Sequence, residues 1–190
     1  MKVALLTREY PPEVYGGAGV HVEYLARALD PLVDLTVHCQ GGQDRDGAVA
    51  HHPWAALKDQ VLRVFATDLS MADAVGDADL VHSHTWYANL AGHLAALRYS
   101  IPHVVTMHSL EPLRPWKAEQ LGGGYALSSW AERVAATHAS AVVAVSEGMR
   151  ADILSAYPDI HPERTRVIRN GIDTSEYAPD PETDVLEKHG

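Results

Sequence analysis

The feature that most constrains the fold of this chain is the alternation of short apolar runs with segments of helical period. The runs are rich in β-branched residues, and several are apolar on both faces, which is typical of buried strands in a parallel sheet. Seven runs are predicted as strands: Val3–Thr7, Leu35–Cys39, Val61–Ala66, Leu80–His84, His103–Met107, Ala141–Val145 and Arg166–Arg169. Helices are predicted at Gly19–Leu29, Tyr125–His138 and Glu147–Ala156. The alternation predicts an α/β fold, a doubly wound, Rossmann-like parallel sheet with helices on both faces.

Length and a late change of composition predict one domain followed by a linker. The chain has 190 residues, enough for one ordinary domain but not for two. Residues 1–172 carry the strand and helix patterns, whereas residues 173–190 hold six acidic residues and a Pro-Asp-Pro sequence. We interpret residues 173–190 as a linker with a short helix around Thr183–His189. We expect it to lead to a C-terminal domain that is absent from this chain.

The composition argues against several classes of protein. Cys39 is the single cysteine, so no disulfide can form within the chain and a reducing compartment is expected. The net charge is −10, from 25 acidic and 15 basic residues, whereas a nucleic-acid-binding protein needs a basic face. No apolar stretch approaches the ~18 residues of a membrane-spanning helix, and the first apolar run is too short for a signal peptide. We therefore expect a cytoplasmic protein with no nucleic-acid or membrane partner.

A glycine-rich loop follows the first predicted strand and runs directly into a helix. Backbone N–H groups at Gly16 and Gly17, together with the positive helix end, are suited to receive a phosphate. A dinucleotide-binding site is disfavoured, because the glycines come late after the strand and Val22 stands where the third glycine of that motif belongs. No cofactor is therefore expected. The remaining alternative is a loop whose glycines merely allow positive φ angles.

Two histidines lie at the end of the fourth predicted strand. We interpret His82 and His84 as pointing to opposite faces of that strand, an arrangement that does not ligate one metal ion, and we predict no metal site. His84 and Trp86 lie at or just beyond the strand end, where side chains can line a sugar pocket. Packing in the core is the alternative for both residues.

The fifth predicted strand ends just before His108, the position at which an open α/β sheet presents residues to a ligand. The loop that follows holds Arg114 and Lys117 on either side of Trp116. Neither cation has an evident acidic partner at helical spacing, so we expect both charges to be available to a phosphate, with arginine as a bidentate clamp. The alternatives are a core histidine and a solvated loop at the rim.

Five short motifs occur in order along nearly the whole chain. They are Glu9-Tyr10-Pro11-Pro12 with Gly16-Gly17-Ala18-Gly19-Val20-His21, then His82-x-His84-x-Trp86, Thr106-Met107-His108, Val145-Ser146-Glu147-Gly148-Met149 and Asn170-Gly171-Ile172-Asp173. The ordered set resembles retaining glycosyltransferases of family 4, which have the GT-B fold. Within that family it is similar to the actinobacterial-type glycogen synthases, which make α-maltose-1-phosphate from ADP-glucose and glucose-1-phosphate.

The resemblance implies a two-domain enzyme with its active site in the cleft between the domains. This chain is then the N-terminal, acceptor-side half, inactive alone, and the absent half binds most of the nucleotide sugar. Gly16 and Gly17 match the loop that approaches the donor, and His108 matches the catalytic histidine near the C6 hydroxyl of the donor sugar. We expect acceptor contacts from five residues: Tyr10, His84, Trp86, Arg114 and Lys117.

The implied reaction is a metal-independent, retaining transfer of glucose from a nucleotide sugar to glucose-1-phosphate or an α-1,4-glucan. One residue departs from the related pattern, because bacterial glycogen synthases of the other type carry lysine just before the double glycine and this chain has Tyr15. That departure favours a small phosphorylated acceptor and weakens the case for ADP-glucose as the donor. The alternatives are a family 4 enzyme with another donor or acceptor, and a non-catalytic module that binds a sugar phosphate.

Overall fold

The computed structural model describes residues 1–178, except for the side chain of Leu121, and confirms the predicted parallel α/β architecture. Within these residues seven strands form one sheet in the order β3-β2-β1-β4-β5-β6-β7, and every neighbouring pair is parallel. The strands are β1 Lys2–Thr7, β2 Asp34–Gln40, β3 Ala48–His51, β4 Leu80–His84, β5 His103–Met107, β6 Ala141–Ala144 and β7 Thr165–Val167.

Helices cover both faces of the sheet. They are α1 Gly17–Leu29, α2 Gln60–Ala74, α3 Trp86–Tyr99, α4 Lys117–Leu121, α5 Gly124–His138 and α6 Glu147–Ala156, with 3₁₀ turns at Glu111–Leu113 and Pro162–Arg164. Side chains alternate along β1, so Leu5 packs against Val22 of α1 on one face. Ala4 and Leu6 face the opposite side, where they pack in one cluster with residues of α2 and α3.

The predicted strand at Val61–Ala66 is wrong, because these residues form the beginning of α2. Asp59 caps this helix, since its carboxylate accepts hydrogen bonds from the N–H groups of Val61 and Leu62, both at 2.9 Å. The sequence interpretation overlooked this capping signal and relied on the apolar run alone. It also missed the four-residue edge strand β3 and helix α3, whose largely buried surface gives no clear amphipathic period.

The strand order reverses between β1 and β4, and this reversal determines where a ligand site is expected. Connections leaving the carboxyl ends of β1 and β4 run to opposite sides, which opens a crevice at that edge of the sheet. The glycine loop, His84, Trp86 and His108 all follow strands at this edge. The linker prediction for residues 173–190 stays a prediction, and its helix at Thr183–His189 lies outside the described residues. No described helix is both long and apolar enough to cross a bilayer.

Candidate active site at the carboxyl edge of the sheet

The glycine loop is held closed by Glu9. One carboxylate oxygen, Oε2, accepts hydrogen bonds from the N–H groups of Tyr15 at 3.1 Å and Gly16 at 2.8 Å. Gly16 is the N-cap of α1 and has an extended backbone, with φ −135° and ψ 160°. Since neither Gly16 nor Gly17 has a positive φ, the alternative of a loop that merely needs positive φ angles is wrong.

The space around each glycine shows whether the fold requires glycine at that position or leaves the position open. A Cβ atom at Gly19 would lie 2.8 Å from atoms of Glu9, so packing requires glycine there. A Cβ at Gly17 would meet no protein atom within 4 Å. Gly17 is the first residue of α1, where backbone N–H groups have no partner within the helix. The helix therefore begins with unobstructed N–H donors and a partial positive charge at the crevice.

Three imidazoles from α1, β4 and the end of β5 form the histidine cluster: His21, His84 and His108. Nδ1 of His84 and Nε2 of His108 are 3.1 Å apart, within hydrogen-bonding distance. The ring centroid of His21 lies 5.5 Å from that of His84 and 4.9 Å from that of His108. His82 extends the group, with its Nε2 2.7 Å from Oγ1 of Thr106. The cluster thus joins the second turn of α1 to the ends of β4 and β5.

Burial keeps the histidine cluster and His82 neutral at physiological pH. Desolvation lowers the pKa of His82 and of His108 to about 4, and it lowers the pKa of His84 well below 6.5. Neighbouring imidazoles lower these three pKa values further, because a second positive charge nearby is unfavourable. Neutral imidazoles offer hydrogen bonds to hydroxyl groups without repelling positive charge that develops on a ligand.

The interpretation that His82 and His84 point to opposite faces of β4 is wrong. Residues two apart on a strand share a face, and the two ring centroids are only 4.5 Å apart. Nitrogen atoms of His21, His84 and His108 lie within 4.8 Å of one another. Such a donor set is chemically suited to Zn²⁺ and similar ions, so the prediction of metal-independent chemistry still needs a test.

The loop after β5 is fixed by a buried polar network. Glu111 is fully buried, and its carboxylate accepts hydrogen bonds from Nζ of Lys117 and Oγ of Ser128, both at 2.8 Å. Its N–H donates to Glu132, whose carboxylate also accepts from the hydroxyl of Tyr157. The expectation that the charge of Lys117 is available to a ligand is therefore wrong. Its partner lies six residues earlier, outside the helical spacings that the sequence interpretation considered.

The other predicted acceptor contacts differ in their accessibility. Arg114 keeps a side chain that is 35% exposed, and its Nη1 lies 3.3 Å from Oγ of Ser109. The same Nη1 lies 3.9 Å from a carboxylate oxygen of Glu111, three residues earlier. The expectation that Arg114 has no acidic partner at helical spacing is therefore wrong. Trp86 is only 3% exposed, and its ring stacks on that of Tyr87 with centroids 4.1 Å apart. These assignments stay predictions.

Two further predicted contacts, Tyr10 and His84, have different surroundings. Tyr10 is half-buried beneath the guanidinium of Arg45, whose carbon lies 5.0 Å from the ring centroid. His84 is fully buried within the histidine cluster. The structure thus brings His84 together with His108 and with His21 of α1, whereas the ring of Tyr10 packs against Arg45.

Sequence reasoning missed His21. The available signal was its spacing of four residues from Gly17, which places both residues on one face of α1. The sequence interpretation considered residues that follow strands and did not consider side chains of the first helix that contact the strand ends.

Comparisons with known proteins agree with this geometry. The chain is 56% identical over 195 residues to alpha-maltose-1-phosphate synthase of Mycolicibacterium smegmatis, matching 100% of this chain and 50% of the relative. It is 57% identical over 181 residues to the Mycobacterium tuberculosis protein of the same name, matching 94% of this chain and 46% of the relative. The chain thus spans about half the length of the curated relatives that it matches.

Structural comparison supports the fold independently of close sequence similarity. The chain superposes with a TM-score of 0.72 on Anabaena HepE in complex with UDP and glucose, at 18% identity, covering 100% of this chain and 50% of HepE. The profile of Glycosyltransferase Family 4 matches residues 15–176. This match takes in α1, every strand after β1 and the whole histidine cluster. The chain therefore belongs to glycosyltransferase family 4, as its ordered motifs predicted.

Proposed function

We propose that this chain is the acceptor-side domain of a retaining glucosyltransferase, which moves glucose from a nucleotide sugar to glucose-1-phosphate or an α-1,4-glucan. The observation that carries the proposal is that the open start of α1 at Gly17 lies one helical turn from His21 of the neutral histidine cluster, whereas the N–H of Gly16 is engaged by Glu9. A second, donor-binding domain completes the cleft, and the length of the relatives supports its presence. ADP-glucose is the proposed donor and glucose-1-phosphate the proposed acceptor, in line with the name of the relatives.

The proposed roles follow from charge and from access. The N–H groups at the start of α1 stabilise the negative charge of the departing diphosphate, since the helix end carries about half a positive charge. His108 hydrogen-bonds the donor sugar, and because it is neutral it tolerates the positive charge of an oxocarbenium-like transition state. Glu9 is engaged by two backbone N–H groups. We therefore assign no protein nucleophile in this half, and retention follows from attack on the same face as departure.

The test is a panel of transfer assays on the complete enzyme, in which this chain is followed by the donor-binding domain. ADP-glucose and UDP-glucose are each supplied with glucose-1-phosphate, with an α-1,4-glucan, or without acceptor, and products are resolved by chromatography. The proposal expects a disaccharide phosphate from ADP-glucose and glucose-1-phosphate. Sugar binding with no transfer under any pairing contradicts it and leaves a non-catalytic binding module.

A further inference from the structure

A small cavity between the ends of β1 and β2 and the starts of α2 and α3 has polar lining residues to which the proposed reaction assigns no role. Its volume is about 210 Å³, below the range of about 300–1,000 Å³ usual for drug-sized ligands. It is bordered by the residues that follow β1 and β2, by the start of α3 and by the first turns of α2. Seven of its lining residues are polar or aromatic: Arg8, Gln40, Gln60, Arg63, Thr67, Trp86 and Tyr87.

The charge of this cavity is opposite to that of the chain. Two guanidinium groups line it, and no carboxylate is among the described residues that do so, although the chain carries a net charge of −10. The nearby carboxylate of Asp59 is occupied as the cap of α2. A neighbouring cavity shares Arg8, but Glu9 and Glu13 line it. Binding of an anion is therefore favoured in the cavity that Arg63 lines and disfavoured in the cavity that Glu9 and Glu13 line.

Both guanidinium groups are held in place with donors to spare. The Arg8 guanidinium carbon lies 4.0 Å from the ring centroid of Tyr87 and 5.1 Å from that of Tyr15. Arg8 forms no ion pair within residues 1–178. Arg63 donates Nη1 to the carbonyl of Leu57 at 3.2 Å, which leaves most of its five N–H donors available. Planar guanidinium groups of this kind bind phosphate through two parallel hydrogen bonds.

The remaining lining residues suit the sugar attached to such a phosphate. Trp86 is 3% exposed, and its indole Nε1 is buried without a hydrogen-bond partner among the described residues. The side-chain amide of Gln40 donates to the carbonyl of Tyr87 at 2.6 Å, which leaves its own oxygen free to accept. A buried donor without a partner destabilises the fold, so a ligand hydroxyl that accepts from the indole N–H of Trp86 relieves this destabilisation.

From this cavity we infer a binding site for a hexose monophosphate, with Arg8 and Arg63 as the phosphate clamp and Trp86 against the sugar. The inference rests on the proposed function, because it identifies the phosphorylated acceptor as the occupant. The phosphate contact that the sequence assigned to Lys117 is here assigned to two arginines that sequence reasoning did not select, because Lys117 is paired with Glu111. Tyr15 then has a role in place of the expected lysine, since its ring stacks on the arginine of the clamp.

The test is calorimetric titration of the complete enzyme, without nucleotide sugar, with α-glucose-1-phosphate, inorganic phosphate and glucose as separate probes. Arg63→Gln and Arg8→Gln are each expected to weaken glucose-1-phosphate binding about 10-fold or more, the effect of losing one charge-assisted contact. Arg63→Lys retains the positive charge but not the planar guanidinium group, so its affinity for glucose-1-phosphate is expected to lie between those of the wild type and Arg63→Gln. Arg98→Gln is the matched control, because Arg98 also stacks on a tyrosine, at 5.3 Å, but lies exposed at the far end of α3.

Each outcome of the titration decides the inference. Wild-type binding of glucose-1-phosphate that is tighter than that of inorganic phosphate, and lost selectively in the two glutamine variants with unchanged melting, supports the site. No binding by the wild type overturns it, as does equal weakening in Arg98→Gln. Equal affinity for inorganic phosphate reduces it to an anion site without sugar recognition. The complete enzyme carrying Arg63→Gln can also be assayed for transfer. If it transfers glucose to glucan and to glucose-1-phosphate as well as the wild type does, the proposed function is left intact and only this inference is removed.

Discussion

Replacing glycines 17 and 19 by alanine separates the ligand role of the glycine loop from its folding role. A methyl group at Gly17 meets no protein atom within 4 Å, and the residue begins a helix with an ordinary φ. Gly17→Ala is therefore expected to leave stability unchanged or to raise it by up to about 1 kcal/mol. A methyl group at Gly19 lies 2.8 Å from Glu9 and 3.0 Å from Val14. Overpacking of that kind costs about 1–3 kcal/mol, which is roughly 2–12 °C in Tm for a chain of this size.

For catalysis we expect the reverse, with Gly17→Ala more damaging than Gly19→Ala. In the complete enzyme, the methyl group of Gly17→Ala occupies the space through which the donor diphosphate approaches the N–H groups of α1. Losing one charge-assisted hydrogen bond costs about 1.5–3 kcal/mol, so kcat/KM for the donor falls about 10- to 100-fold. Gly19→Ala is expected to lose activity only as far as it loses folded protein.

The assay combines thermal melting of the chain with steady-state kinetics of the complete enzyme for both variants. Urea unfolding provides the stability difference at the temperature of the kinetic assay. If Gly17→Ala retains normal kcat/KM while Gly19→Ala is inactive although folded, the assignment of the donor approach to the start of α1 is wrong.

Four further predictions follow from the geometry. The chain alone is expected to fold but to transfer no glucose from ADP-glucose or UDP-glucose, and product formation above a no-protein control contradicts the division of the cleft. In the complete enzyme, His108→Ala is expected to lower kcat by about 5- to 10-fold, the effect of losing one hydrogen bond, and to raise the donor KM by less. Unchanged kinetics with a lower Tm indicates a core histidine instead. Lys117→Ala removes the ammonium group 2.8 Å from the buried Glu111 carboxylate, which keeps the hydroxyl of Ser128 and has the Arg114 guanidinium only at 3.9 Å. The variant is expected to cost about 3–5 kcal/mol in urea unfolding, and a loss below 1 kcal/mol contradicts the buried pair. The free energy of unfolding is expected to fall from pH 7 to pH 5, because histidines such as His38, His82 and His108, with native pKa values of about 4, bind protons only when unfolded, each contributing about 1.4 kcal/mol per pH unit. Two carboxyl groups oppose this trend, because burial raises the pKa of Glu132 to about 7 and raises the pKa of Asp68 well above its usual value. Stability that rises on acidification contradicts the prediction.

Strand patterns in the sequence predicted most of the sheet because buried parallel strands leave a local signal. The strands β1, β2, β4, β5, β6 and β7 were located within one or two residues of their observed ends. The failure at Val61–Ala66 has a local cause, since an apolar run of that length is common to strands and to the first turns of a helix. The N-cap at Asp59 distinguishes the two, and its hydrogen bonds to Val61 and Leu62 show which applies. Strand β3 is short and at the edge, so its pattern is weak.

The candidate site was less accessible to sequence reasoning because its contacts join distant segments. His108, Gly16 and Gly17 could be selected from their positions after strands, which every open α/β sheet presents at one edge. His21 reaches the same place from inside a helix, and the pair of Glu111 and Lys117 depends on how a loop folds back on itself. Arg8 and Arg63 are 55 residues apart, and only the packing of α2 beside the end of β1 places both at one cavity.

The stereochemistry of the product tests the central claim most directly. ADP-α-glucose and glucose-1-phosphate are incubated with the complete enzyme, and the anomeric protons of the product are followed by NMR from the first turnovers. The account predicts an α-linked disaccharide phosphate, formed with the anomeric configuration of the donor. A β-linked product, or release of free glucose and ADP without a glycosidic bond, contradicts a retaining glucosyltransferase.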